Sequence, residues 1–169
     1  MAGVRIEAWR PADLHLLELL LGDPEMTKHL GGPETPEKIA QRHERYVRSK
    51  DSTTGRSFRV VLAETGEAVG WVGFWDKTWN DGSVYEVGWS TLPAYQRRGI
   101  AVMATELAIE EARAERKHLF MHAFPAVENA PSNAICQKLG FTLLGSSRFE
   151  YPPGHFMLCN DWRFDLQTG

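Results

Sequence analysis

Apolar and polar positions change their period several times along the chain, and each change marks an element. Val4 to Trp9 alternates with a period of two and predicts a first strand. Arg10-Pro11-Ala12-Asp13 then opens a helix: proline suits a first turn, Asp13 complements its dipole, and Leu14, Leu17, Glu18 and Leu21 recur at helical spacing. Gly22-Asp23-Pro24 ends it, and Met26 to Pro33 reads as a loop. Thr35-Pro36-Glu37-Lys38 predicts a capped second helix reaching Arg48. The polar stretch Ser49 to Gly55 is a loop.

Three strands follow. Phe58 to Ala63 turns at Glu64-Thr65-Gly66-Glu67 into Ala68 to Trp75, whose Val69, Trp71, Gly73 and Trp75 are expected on one face. Asn80-Asp81-Gly82 is a hairpin turn, and Ser83 to Thr91 returns as the third strand of an antiparallel meander. The period then becomes helical: Ile100, Met103, Ala104, Leu107 and Ala108 predict a helix ending near Arg116. Leu119 to Phe124 is a short strand, and Pro131 to Leu139 a helix closed by Gly140. Phe141 to Gly145 and Phe156 to Leu166 are the last strands, joined around Tyr151-Pro152-Pro153-Gly154. The order β-α-α-β-β-β-α-β-α-β-β predicts an α/β fold of mixed type: a mostly antiparallel sheet flanked by helices.

Composition changes this picture little. With no repeat and no linker, the 169 residues are expected to form a single domain, residues 1–169. A net charge of −3 argues against nucleic-acid binding, which leaves a basic footprint. Cys136 and Cys159 match no zinc or redox spacing, and the histidines show no metal-ligand spacing, so no metal is expected. The leucines from Leu14 to Leu21 are too few to span a bilayer and are interrupted by His15 and Glu18. No secretory signal is visible, so the expectation is a reduced, cytoplasmic protein without membrane partners. A monomer and a symmetric homodimer both fit.

The sharpest local signal is Gln96-Arg97-Arg98-Gly99-Ile100-Ala101, between a strand and a helix. The first amides of a helix lack internal partners and carry the positive end of its dipole, and glycine lets a phosphate approach the backbone. Arg97 and Arg98 add two cations. The competing reading is a glycine loop with two surface arginines. The stretch is neither a Walker A loop, for want of Gly-Lys-Ser/Thr, nor a dinucleotide fingerprint, with one glycine only.

Here the chain resembles the GNAT superfamily of N-acyltransferases. Gln96 to Ala101 is similar to the coenzyme A signature Gln-x-x-Gly-x-Ala, and Glu86 to Tyr95 to the strand leading into it. Asn129-Ala130-Pro131-Ser132 followed by Lys138-Leu139-Gly140-Phe141 resembles the family's second motif. Arg10-Pro11-Ala12-Asp13 and Asp23-Pro24 resemble the RimJ/RimL-type branch. The likeness spans Ile6 to Phe164. It implies acetyl-coenzyme A as donor. It also implies backbone pairing of Ser90 and Leu92 with the pantetheine arm, and pyrophosphate binding by the amides of Arg97, Arg98, Gly99, Ile100 and Ala101. Asn129 and Ser132, three residues apart, face the cofactor on this reading or cap their helix on the other.

Amine acetylation needs a base, an oriented thioester, a donor for the oxyanion and a proton for the leaving thiolate. Glu86, in an apolar strand, is the expected base, against the alternative of a structural carboxylate. Many family members carry a tyrosine acid four residues before the glycine of the second motif. Here Cys136 stands there, as a proton donor or as a small buried hydrophobe, with Ser132 or water as substitutes. His122 alternates with Phe120 and Phe124 on a strand expected beside the acyl site, as base, acceptor contact or core histidine. Trp75, His122 and Phe124 are the expected acceptor contacts, with Met26 to Pro33 and Tyr151 to His155 as the cleft rim. The expected reaction is direct acetyl transfer from acetyl-coenzyme A to a primary amine, of a protein N-terminus or a small molecule, in a ternary complex. A non-catalytic acyl-coenzyme A sensor or partner module is the alternative.

Overall fold

Two residues with positive φ, Asn80 at 51° and Asp81 at 64°, set the register of the central hairpin in the computed structural model, which describes residues 3–150 and 153–168. Their left-handed pair matches the twist of a two-residue hairpin turn, a geometry asparagine and aspartate tolerate. Trp79 therefore faces Gly82, and counting back along both strands places Lys77 opposite Val84, Trp75 opposite Glu86 and Trp71 opposite Ser90.

The elements are β1 (Val4–Ala8), α1 (Leu14–Leu21), α2 (Pro36–Arg48), β2 (Gly55–Leu62), β3 (Ala68–Trp79), β4 (Gly82–Thr91), α3 (Ile100–Glu115), β5 (Phe120–Ala123), α4 (Ala130–Leu139), β6 (Thr142–Glu150) and β7 (Phe156–Asp165). Their order is the expected one. The strands form one seven-stranded sheet, ordered β1-β2-β3-β4-β5-β7-β6, and only β4 and β5 run parallel. Thr35 caps α2 by accepting from the Lys38 amide, and Gly140, at φ 86°, closes α4. No helix of the described residues is long and apolar enough to cross a membrane.

Each face of the sheet has its own apolar cluster. On one, Phe58, Val72, Phe74, Tyr85, Val87 and Met121 pack against Ile100, Ala104 and Ala108 of α3 and Cys136 of α4. On the other, Trp9, Leu16, Leu17, Leu20 and Ile39 tie α1 and α2 down. The expected grouping of Val69 with Trp71 needs correction. Val60 faces Gly70 and Val61 faces Ala68, so Val69 is an unpaired bulge residue. The bulge turns Val69, fully buried, into the cluster with Val72 and Phe74, while Trp71 packs against the α1 and α2 cluster. β6 runs five residues further than expected, to Glu150, and the join at Tyr151 and Pro152 lies outside the described residues.

Facing glycines, Gly73 and Gly88, leave a trough across β3 and β4 that Trp71 and Trp75 fill. The indoles stack at 6.2 Å, and Tyr46 of α2 stacks on Trp71 at 5.4 Å. A Cβ at Gly88 would stand 3.1 Å from Trp71 Cη2 and 3.2 Å from Trp75 Cη2. Gly88→Val is therefore expected to lower stability by about 1–3 kcal/mol by overpacking, measured as a lower urea midpoint. An unchanged midpoint would show that the rings move freely.

Candidate functional site

The site begins where β4 leaves β5. Their parallel pairing covers two residue pairs, Tyr85 with Met121 and Glu86 with His122. Beyond them β4 runs on to Thr91, paired with β3 alone. An antiparallel ladder bonds alternate residues, so one parity of β4 faces β3 and the other faces the opening. The Leu92 amide donates to the Val69 carbonyl at 2.9 Å, and the Leu92 carbonyl accepts from the Tyr95 amide at 2.9 Å. This corrects the expectation for Ser90 and Leu92. The backbone groups of both are already engaged, and the parity turned to the opening is that of Val87, Trp89 and Thr91, with the Thr91 carbonyl taken by Gln96. The two-residue turn, by fixing the register, carries that parity.

At the end of β4 the chain bends through Pro93–Tyr95 into the turn singled out above. Gln96 reaches back, its side-chain amide donating to the Thr91 carbonyl at 3.0 Å. Arg97 at φ 65° and Gly99 at φ 76° take left-handed backbone, a conformation that curls successive amides around one point. The first helical bond of α3 runs from the Met103 amide to the Gly99 carbonyl, so the amides of Ile100 and Ala101 have no partner in the helix. Arg97, Arg98 and Gly99 are exposed, Ala101 is half-buried, and the Ile100 side chain anchors the turn in the core. Unpaired amides, left-handed backbone and two exposed guanidinium groups thus converge at this turn.

Of the two readings for Asn129, capping is realised: its Oδ1 accepts from the Ser132 amide at 3.2 Å. Ser132 Oγ accepts from Trp89 Nε1 at 3.3 Å, so its hydroxyl proton remains free to donate. Asn133 was not anticipated. Its Nδ2 donates to the Ala126 and Asn129 carbonyls, and its Oδ1 accepts from Asn160 and Trp162, fastening α4 to β7. Cys136 is 0 % exposed and belongs to the core, and burial pushes its thiol up to about 12. A cysteine thiol ordinarily sits at about 8.5, so Cys136 is a much weaker acid than usual and a poor proton donor. The structure assigns it the role of a small buried hydrophobe.

The opposite face of β4 carries the titratable groups. Burial raises the Glu86 carboxyl above the ordinary glutamate range, while neighbouring Lys77 and a hydrogen bond from Trp75 pull it back. Lys77 Nζ lies 3.3 Å from Glu86 Oε1. His122, the β5 partner of Glu86 and therefore on the same face, is buried with its Nδ1 2.6 Å from Asp161 Oδ1. Trp79 Nε1 donates to Asp161 Oδ2 at 2.9 Å. Phe124 stacks on His122 at 5.7 Å and meets Trp79 at 4.9 Å and Phe149 at 5.1 Å. Trp75, His122 and Phe124 thus share one face with Glu86. Lys77, Asp161 and Phe149 join them unannounced. Lys77 was legible from strand alternation with Trp75 and Trp79, whereas Asp161 comes from a strand far along the chain. Among the described residues no group of three His, Cys, Asp or Glu side chains is placed to hold a metal ion.

The family model described as an acetyltransferase (GNAT) domain matches residues 4–142. No curated protein matches the sequence. Among solved structures, a GNAT-family acetyltransferase from Bacillus anthracis superposes with a TM-score of 0.81 at 22% identity, covering 98% of this chain and 99% of that one. An acetyltransferase from Salmonella typhimurium that modifies the N-terminal serine of ribosomal protein L7/L12 gives 0.80 at 16% identity, covering 96% and 95%. Spermidine N-acetyltransferase from Vibrio cholerae, in complex with coenzyme A and spermine, gives 0.78 at 17% identity, covering 96% and 95%. At these identities the likeness is one of fold.

The Asp161 carboxylate holds two buried partners at once. Asp161→Ala is expected to cost about 2–4 kcal/mol in urea unfolding, because the His122 ring and the Trp79 N–H both lose their acceptor. A loss under about 0.5 kcal/mol, the scale of a neutral surface change, would show the pair to be idle.

Proposed function

The chain belongs to the GNAT acetyltransferase family, and from that membership we propose that it moves the acetyl group of acetyl-coenzyme A onto a primary amine by direct attack in a ternary complex, with Glu86 as the base. The observation that carries this reading is the position of Glu86. It is the last residue of β4 paired with β5, its carboxyl is raised by burial, and its side chain faces the aromatic surface of Trp75, Trp79 and Phe124. A carboxylate tuned upward takes a proton from an ammonium more readily than one at the ordinary value.

Acetyl-coenzyme A supplies a thioester whose carbonyl carbon accepts the amine. The turn at Arg97, Arg98, Gly99, Ile100 and Ala101 holds its phosphates with backbone amides, helped by the two guanidinium groups. The open edge of β4 at Val87 and Trp89, with the Thr91 amide, takes the pantetheine amides as an added strand would. Ser132, its hydroxyl oxygen already accepting from Trp89, donates toward the acyl end. Glu86 removes the proton of the acceptor, directly or through one water, and His122 is held in one orientation by Asp161. The leaving thiolate takes its proton from water, Cys136 being in the core. An acceptor carrying positive charge suits a face with a carboxylate among aromatic rings. The two acceptor classes named among the similar structures, a protein N-terminus and a polyamine, both meet that description. One domain spanning residues 1–169 is sufficient for all these parts. A silent binding module would gain nothing from a desolvated carboxylate at this point, and Glu86 therefore favours turnover.

Thiol release from acetyl-coenzyme A, followed against peptides with free N-termini and against polyamines, tests the reading. Release is expected with at least one class, and Glu86→Gln is expected to lower kcat/KM by roughly 10²–10⁴. Full activity in that variant would remove Glu86 from the chemistry.

The pH profile is a separate check. The base must be ionised, so the rate rises with pH through the Glu86 pKa, which lies above the ordinary value of about 4.3. Lys77 favours the ionised carboxylate. Lys77→Met is therefore expected to move the acidic limb to higher pH, and a limb that stays in place would contradict the pairing.

A further inference from the structure

Lys77 is itself a primary amine on the acceptor face. Its Nζ lies 3.3 Å from Glu86 Oε1 and stands over three rings, 5.8 Å from the centroid of Trp79, 5.3 Å from Phe124 and 5.6 Å from Phe149. Trp79 is fixed by Asp161, and Phe149 arrives from the edge strand β6 to close the cage. Side-chain exposure is 26 % for Lys77 and 23 % for Glu86, so the pair is shielded yet open to the cleft. Other lysines are placed differently. Lys28 pairs with Glu25 at the surface, and Lys117 binds Asp76 on the far side of the β3 strand pair from this cage.

We propose that Lys77 is a self-acetylation site, with its Nζ occupying the position of an acceptor amine and taking the acetyl group of the bound donor. The inference rests on the reading of Glu86 as base. The step balances without any redox partner. The Lys77 ammonium gives one proton to Glu86, the nitrogen attacks the thioester carbonyl carbon, and an N–C bond forms as the C–S bond breaks. The coenzyme leaves as a thiolate, and the second proton that the nitrogen sheds as the amide forms passes to it through water. Rings on three sides fix the nitrogen, which supplies the orientation such an attack needs. The product amide carries no charge, so the cation–π contacts and the ion pair are lost together. Glu86 then no longer faces an ammonium, and the rings no longer hold a cation.

The test uses the full chain incubated with isotope-labelled acetyl-coenzyme A, digestion and mass spectrometry, with thiol release on external amines measured in parallel. Lys77 is expected to gain one acetyl group at least about ten-fold faster than Lys28 or Lys138, a modest share of what a positioned base contributes. The rate should not depend on protein concentration. Glu86→Gln should bring Lys77 down to the surface rate, and Lys77→Arg should remove this label while surface lysines keep theirs. Lys77 left unlabelled beside Glu86-dependent turnover of an external amine overturns the inference alone. Equal labelling of Lys77 in the wild type and in Glu86→Gln also overturns it, as uncatalysed chemistry. Undiminished turnover of external amines by Glu86→Gln overturns the reading of Glu86 and the inference with it.

Discussion

The site depends on a sheet that is allowed to come apart. β4 and β5 are parallel and joined through α3, and they share only two residue pairs before they part. A strand edge left unpaired in the middle of a sheet is costly unless something else satisfies it. Here the opening is held by groups on either side. Trp89 reaches Ser132 on α4, and Asn133 ties α4 to β7 across the gap. The parting therefore persists as a feature of the fold, and it puts free backbone of one parity beside the turn at Gly99. If β5 continued along β4, that edge would be consumed.

The two faces of β4 divide the labour. On the α3 side, Tyr85 and Val87 are core, and Cys136 packs with them. On the other side, the trough at Gly73 and Gly88 lets Trp71 and Trp75 lie against the backbone, which brings an indole N–H to Glu86 and leaves its carboxyl partly desolvated. Desolvation and the neighbouring ammonium act on Glu86 in opposite directions, and desolvation wins. The same balance explains why a lysine is tolerated inside a ring of aromatics: its charge is met by a carboxylate on one side and π faces on the others.

Most of this architecture was legible along the chain. The order of elements follows from period changes and from turn residues such as Asn80-Asp81 and Gly140. Strands run further than the apolar pattern predicts where charge interrupts it. β3 runs through Asp76, Lys77 and Thr78 because Asp76 is paired with Lys117 and His118, and Lys77 with Glu86, partners that lie far off in sequence. The segment proposed to meet the coenzyme stands out by its motif, but the motif does not give its parity at Ser90 and Leu92. Only the pairing register shows which carbonyls are already taken. Cys136 and Asn129 each had two readings that depend on burial and capping geometry, and no spacing distinguishes them. His122 stands out by its alternation with phenylalanines, while Asp161, the carboxylate that holds it, becomes visible only once β7 lies beside β5.

The central claim, that coenzyme A lies along the freed edge of β4 with its phosphates at the Gly99 turn, is tested most directly by backbone amide NMR. Coenzyme A would be titrated into the ¹⁵N-labelled protein. The account predicts that the largest shifts fall at Val87, Trp89 and Thr91 and at the amides from Arg97 to Ala101, with the even-numbered Ser90 and Leu92 less affected. Shifts concentrated elsewhere, for example in the cleft lined by Ser83, Leu144 and Arg163 at the other end of these strands, would contradict it.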